Sequence, residues 1–174
     1  ALVKDITFTI SSINQSEWAA SVLGRSVVGV VFENVVFNVS NITTDNVKGL
    51  IAERTMRDCD FINVDVINAK FNIGNMTDVA GGFTGQTQDN GTGTTFTDCD
   101  VNVHMNFGTI ATDIGGFVAS IGAASQFSNC TTSGEITVTG AANGKSVGGF
   151  VGDLGWNGMG APNTQHEFNN CVAD

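Results

Sequence analysis

The side chains with chemistry to offer are few in this sequence, and most recur in one short pattern. Cys59, Cys99, Cys130 and Cys171 each follow an Asp or Asn, and the first two are flanked on both sides, as Asp58-Cys59-Asp60 and Asp98-Cys99-Asp100. An even count of cysteines suits disulfides in an oxidising compartment. It also suits a ladder of buried thiols, because a free Cys packs as a small hydrophobe. A cysteine metal site has less to build on, since no C-x-x-C occurs and His104 sits on the opposite side of its strand from the apolar residues. If the two Cys positions stack, Asp58, Asp60, Asp98 and Asp100 crowd together. Four carboxylates that close need compensation, and an oxygen-rich cluster suits Ca²⁺. The competing reading is that Asn34, Asp58, Asp98, Asn129 and Asn170 share a repeat position at a corner, where short polar side chains bond nearby backbone N–H groups.

Six N-x-Ser/Thr sites occur, at Asn14, Asn38, Asn41, Asn75, Asn90 and Asn129. They carry meaning only in a cell that glycosylates such sites, where Asn38, Asn75 and Asn90 fall on expected exposed strand or loop positions. Trp156 and Met159 lie in a glycine-rich excursion, Leu154-Gly-Trp-Asn-Gly-Met-Gly-Ala-Pro162. A Trp there can anchor a sugar or a neighbouring subunit, or fold down to cover the next turn of chain. Trp18 is placed to cap the N-terminal end. Catalysis finds little support: two His and seven Lys plus Arg assemble no Ser–His–Asp set and no base paired with acids on an outer strand. A polysaccharide-acting enzyme therefore stands as a lesser alternative, and an ice-binding Thr array is limited to the isolated Thr7-Phe-Thr9 and Thr137-Val-Thr139.

Composition narrows the scaffold that must hold these groups. The chain has 174 residues, 22 Gly, one Pro and 12 Phe, with 14% charged residues. Gly-, Asn- and Thr-rich sequence opposes a helical bundle, and abundant aromatic and β-branched residues oppose disorder. A net charge of −10 excludes a basic nucleic-acid surface. No apolar run reaches the ~18 residues of a membrane span. The chain starts without Met and stops inside a recurring motif, which reads as a mature or excised piece of a longer protein.

The organisation is repetitive. Phe127-Ser-Asn-Cys130 recurs as Phe96-Thr-Asp-Cys99 and Phe168-Asn-Asn-Cys171, with weaker copies at Met56-Arg-Asp-Cys59 and Phe32-Glu-Asn-Val35. A closing element, Val147-Gly-Gly-Phe-Val-Gly152, recurs at Gly81-Gly-Phe83 and Gly115-Gly-Phe117, and in degenerate form at Gly49-Leu-Ile51 and Leu23-Gly24. Between the landmarks the sequence alternates: Val101, Val103, Met105 and Phe107 face one way, Asn102, His104 and Asn106 the other, the period of half-buried strands. A repeat made only of short strands and Gly turns predicts a parallel β-solenoid of four to five irregular coils, right-handed by the crossover rule. Its coils stack about 4.8 Å apart because one coil alone cannot bury its apolar face. An antiparallel sandwich or barrel is the rival. Residues 31–174 form the repeats and residues 1–30 a poorly matching or capping coil of one domain. Insertions collect between the closing element and the next opening one, so the loops Thr84–Thr95, Val118–Gln126 and Val151–Glu167 are expected along one flank, the expected binding face.

The Ala80-Gly-Gly-Phe-Thr-Gly85, Ile114-Gly-Gly-Phe-Val118 and Val147-Gly-Gly-Phe-Val-Gly152 elements, with the Phe-x-Asn/Asp-Cys elements, resemble the GLUG-motif repeats of bacterial surface and adhesin-like proteins over roughly residues 30–174. Lys48-Gly-Leu-Ile51 departs from the pattern by lacking the Gly pair. The resemblance implies an extracellular or cell-surface β-solenoid that serves as stalk or adhesive region, with no catalytic residues to carry over and no cofactor. The expected function is an extracellular structural or adhesive module binding a glycan or protein along its loop flank through Trp156 and Met159. The alternative is a subunit of a filament assembled end to end.

Overall fold

The computed structural model describes residues 1–15, 21–24, 26–44, 49–52, 55–76, 79–87, 93–122, 124–143, 145–154 and 166–174. It is all-β, without helix among those residues, and every strand pairing is parallel. The chain winds as a β-solenoid of about four turns. On one side of a turn stack the strands Thr94–Thr97, Ser125–Ser128 and Glu167–Asn169. On the next stack Asp100–Ile110, Thr131–Val138 and Val172–Ala173. In the earlier turns single strands, Leu2–Ile10, Val31–Val39 and Asp60–Met76, cross both sides. Ser26–Val28, Thr55–Arg57, Thr84–Thr87, Val118–Ile121 and Val151–Asp153 form the third side. The first strand pairs with the second through eight positions, so the poorly matching N-terminal sequence forms a regular rung.

The bend between the first two sides has one cause, repeated. Asp5, Asn34, Asn63, Asp98, Asn129 and Asn170 all adopt left-handed backbone, with φ of 53–54°. Asn and Asp tolerate this conformation better than other residues with a side chain. Register places them in one column: Asp5 lies under Asn34 and Asn34 under Asn63, while Asp98 follows Thr97, the partner of Ile62 and Ser128. Each Asn amide donates to the rung below, Asn34 to Asp5 (2.9 Å), Asn63 to Asn34 (2.9 Å), Asn129 to Asp98 (2.9 Å) and Asn170 to Asn129 (3.2 Å). A carboxylate accepts but cannot donate, so Asp suits the first rung, and at Asp98 the chain of amide bonds restarts.

This column corrects the expected alignment. Asn63, not Asp58, occupies the corner position of the third turn, and the opening element there is Phe61-Ile-Asn-Val64 rather than Met56-Arg-Asp-Cys59. Phe61 stacks on Phe32 and Phe96 at 4.9 and 5.2 Å, whereas Met56 pairs with Val27 and Thr87 on the third side. With this register the intervals from opening Phe to closing Phe or Ile become nearly constant, at 19, 22, 21 and 23 residues.

Two Phe columns fill the interior. Phe32, Phe61, Phe96, Phe127 and Phe168 stack face to face, and Phe83, Phe117 and Phe150 do likewise. Rings of one column meet the other edge-on, as Phe96 meets Phe117 at 5.4 Å and 87°, a favourable quadrupole geometry. The Gly-Gly-Phe element exists to let this happen. A Cβ on Gly115 would stand 2.0 Å from the Val118 carbonyl, and one on Gly116 would stand 1.9 Å from that of Gly149. The first glycine admits the tight turn and the second admits the next rung. Gly49 keeps the first role, since a Cβ added there would stand 2.3 Å from the Ala52 carbonyl, while Ile51 takes the inward place beneath Phe83.

Candidate functional site

The cysteines are free thiols. Cys99 and Cys130 point inward at the rung above Val64, and Cys171 follows them at the open end. Each thiol donates to the carbonyl two residues earlier, Cys99 to Thr97 and Cys130 to Ser128, both at 3.4 Å. Cys59 stands apart, under Thr94 in the adjacent column, and donates to Arg57 and Val27. The neighbouring Cys130 thiol and burial push Cys99 far above the ordinary thiol range, and burial raises Cys59. Held protonated, Cys99 and Cys59 make poor nucleophiles and poor ligands, while the hydrogen bond from Cys99 lowers Cys130.

The four aspartates do not converge. Asp98 belongs to the corner column, between Asn63 and Asn129. Asp100 lies beside Asp65, whose carboxylate accepts its backbone N–H at 3.3 Å, and accepts the Thr131 hydroxyl at 2.5 Å. Burial, ahead of the Asp100 charge, raises the Asp65 carboxyl above its ordinary range. Asp58 and Asp60 rim a separate hollow with Thr95 and Gln126, where Thr95 donates to Asp60 at 2.6 Å. The expected crowding rested on aligning Cys59 with Cys99, and the register removes it. Among the described residues no three His, Cys, Asp or Glu side chains are placed to hold a metal.

Of the N-x-Ser/Thr positions, Asn14, Asn41, Asn75 and Asn129 are exposed and Asn38 is partly so. Asn129 is committed on both sides of its amide to the corner column. Asn90, Trp156, Met159 and Trp18 lie outside the described residues, as do parts of all three expected flank loops, whose opening residues Thr84–Thr87, Val118–Ile121 and Val151–Asp153 are third-side strands rather than loop.

The outward side of the second face holds what sequence reasoning passed over. Register stacks Asn41, Lys70, His104 and Glu135 in one column. Beside it run Asn14, Thr43, Asn72, Asn106 and Thr137. Their inward neighbours, Phe71, Met105 and Phe107, are buried. Between Val66 and Ala69 the strand carries one residue more than its partner, a β-bulge, and Asn68 turns left-handed there at φ 59°. Bulges re-aim side chains and bend the strand. Here the bend opens a concavity of about 440 Å³ bounded by Asn38, Asn41, Asn68, Lys70, Asn102 and His104. Asn68 donates to Asn38 at 3.4 Å and Asn102 to Ser133 at 3.0 Å, which holds two of the amides in place. Among the described residues the only ion pair is Lys4–Glu33, so Lys70 faces the hollow without a carboxylate at contact distance. The outward alternation is visible in sequence as Asn102, His104 and Asn106. The bulge is not, because nothing but an extra residue marks it.

The architecture is that of a parallel β-solenoid built of repeats. Comparison with known families, curated proteins and solved structures finds no match to the chain.

Proposed function

We propose that this chain is an extracellular structural or adhesive module, a β-solenoid that displays binding surfaces along its length. The observation that carries the reading is the division of labour in each turn. The interior is closed by stacked Phe, Val and Cys, whereas the second face presents columns of Asn, Thr, Lys and His to solvent. Such a scaffold gains length by adding turns and offers polar contacts at a fixed rung spacing. The resemblance to GLUG-motif repeats points the same way. The Gly-Gly-Phe and Phe-x-Asn/Asp-Cys elements meet at the interlocked Phe columns. No catalytic step belongs to this reading. Protease treatment of intact source cells tests it: the chain should be cleaved and released while cytoplasmic proteins survive, and full protection would refute the surface role.

A second reading, a filament subunit, is favoured by the apolar end rungs. Leu2 and Ile6 are 62% and 42% exposed at one end, and Phe168 and Val172 are 40% and 53% exposed at the other. Unpaired parallel strand edges accompany both, and such edges template further pairing. Further turns of the same chain, or a second copy stacked end to end, would bury them. Sedimentation should then show mass rising with concentration, abolished by Phe168→Asp; a concentration-independent monomer would remove this reading.

A further inference from the structure

We infer that the bulge-formed hollow on the second face is a binding site for an acidic oligosaccharide, with Lys70 as its charge partner. The inference rests on the surface-module reading and names its ligand. The hollow has the volume of a small-molecule site and is walled by amides on three successive turns. An amide offers a donor and an acceptor side by side, the complement of adjacent sugar hydroxyls. Asn41, Lys70 and His104 succeed one another at the rung spacing of about 4.8 Å, close to the repeat of an extended pyranose chain. A sugar chain lying along the solenoid axis therefore meets one side chain of this column per residue. The charge pattern selects the class. In a chain of net charge −10, Lys70 places a positive charge on the floor of the hollow, beside the imidazole of His104. The nearest competing anion in the column is Glu135, one rung beyond His104 and engaged by the Thr137 hydroxyl at 3.0 Å. A ligand carboxylate or sulfate thus seats at Lys70, away from Glu135. Asn38 and Asn41 on the rim each begin an N-x-Ser/Thr sequence.

The test is calorimetric titration of the chain, made without N-glycans, with a uronic-acid hexasaccharide, a sulfated hexasaccharide and a neutral hexasaccharide. Binding of a uronic or sulfated chain is expected, with the neutral chain at least about tenfold weaker. Lys70→Ala and Asn102→Ala should each weaken it about tenfold or more, Glu135→Gln should strengthen it, and Lys145→Ala, outside the hollow, should leave it unchanged. Thermal melting of each variant checks that the fold is retained. Absence of binding to both acidic chains at millimolar concentration overturns the inference, as does equal binding of the neutral chain. Binding that survives Lys70→Ala and Asn102→Ala overturns the hollow while the adhesive reading stands. The protease result on intact cells decides that reading separately.

Discussion

Truncating Phe127 to Ala should be among the costliest single changes this fold can suffer. The ring is fully buried. It lies between Phe96 at 4.7 Å and Phe168 at 4.9 Å, and meets Phe117 and Phe150 edge-on at 5.7 and 5.6 Å. Losing a buried Phe costs about 3–5 kcal/mol, and the upper part of that range applies when the cavity cannot collapse. Here it cannot, because the rungs above and below are held at strand spacing by backbone bonds on either side of the gap. Four edge or stacked contacts of about 0.5–1.5 kcal/mol each overlap with that figure rather than adding to it. A loss near 4 kcal/mol is a large part of the ~5–15 kcal/mol typical of a whole domain. With a guanidinium m-value of about 4 kcal/mol/M, the midpoint should fall by roughly 1 M. Phe168→Ala is the control. That ring is 40% exposed, stacks on Phe127 alone and meets Phe150 edge-on at 6.0 Å, so about 1–2 kcal/mol is expected. Guanidinium titration followed by circular dichroism and by hydrogen exchange reads both. Equal costs for the two variants, or a loss below about 1 kcal/mol at Phe127, would refute the interlocked-column packing.

Other expectations follow from the same geometry. Gly116→Ala drives a Cβ to 1.9 Å from the Gly149 carbonyl and should cost about 3 kcal/mol or more, whereas Gly74→Ala meets no atom within 4 Å and should be neutral or slightly stabilising in the same denaturation assay. Cys130→Ser buries a hydroxyl but keeps a donor toward Ser128 and Phe96, so a cost of about 1–2 kcal/mol is expected, and a cost above about 4 would show that the thiol column is packed differently. Asp65 has its folded-state pKa raised by burial. Its contribution to stability is therefore full below the unfolded aspartate value of about 3.9 and is lost as pH rises through the folded value. Asp65→Asn should raise the midpoint at pH 7, with the gain disappearing toward pH 3. Because Asp58 and Asp60 stand apart from Asp98 and Asp100, millimolar Ca²⁺ should leave the melting temperature within about 1 °C of that in EDTA; a rise of several degrees would reveal a site by mass action.

The scaffold is readable in the sequence because its determinants are local and repeated. Alternation in Val101–Phe107, the recurrent Phe-x-Asn/Asp-Cys and the Gly pairs each report a constraint that acts once per turn. The third turn misleads because cysteine identity is a weaker marker of position than backbone conformation. Phe61-Ile-Asn-Val64 carries the same left-handed Asn and stacked Phe with Val in the Cys place, and one methyl-bearing side chain serves that buried position as well as a thiol. The expected crowding of aspartates follows from that single misalignment. The hollow is illegible for a different reason. It depends on a one-residue bulge near Asn68 and on register across three turns, neither of which leaves a periodic mark, so Lys70 looks like any solvated lysine.

The claim on which both fold and function lean is that successive turns bring residues 41, 70 and 104 into one outward column. Lys70→His tests it directly, because two imidazoles side by side on neighbouring parallel strands, at positions 70 and 104, form a clamp for Ni²⁺. At a Ni²⁺ concentration about one hundred times the clamp's dissociation constant, linkage adds about 2.7 kcal/mol, a rise of roughly 5–10 °C in melting temperature for a chain of this size. Lys70→His should show that rise and lose it when His104→Gln is added; no shift in the single variant, or an equal shift in the double variant, would contradict the shared column.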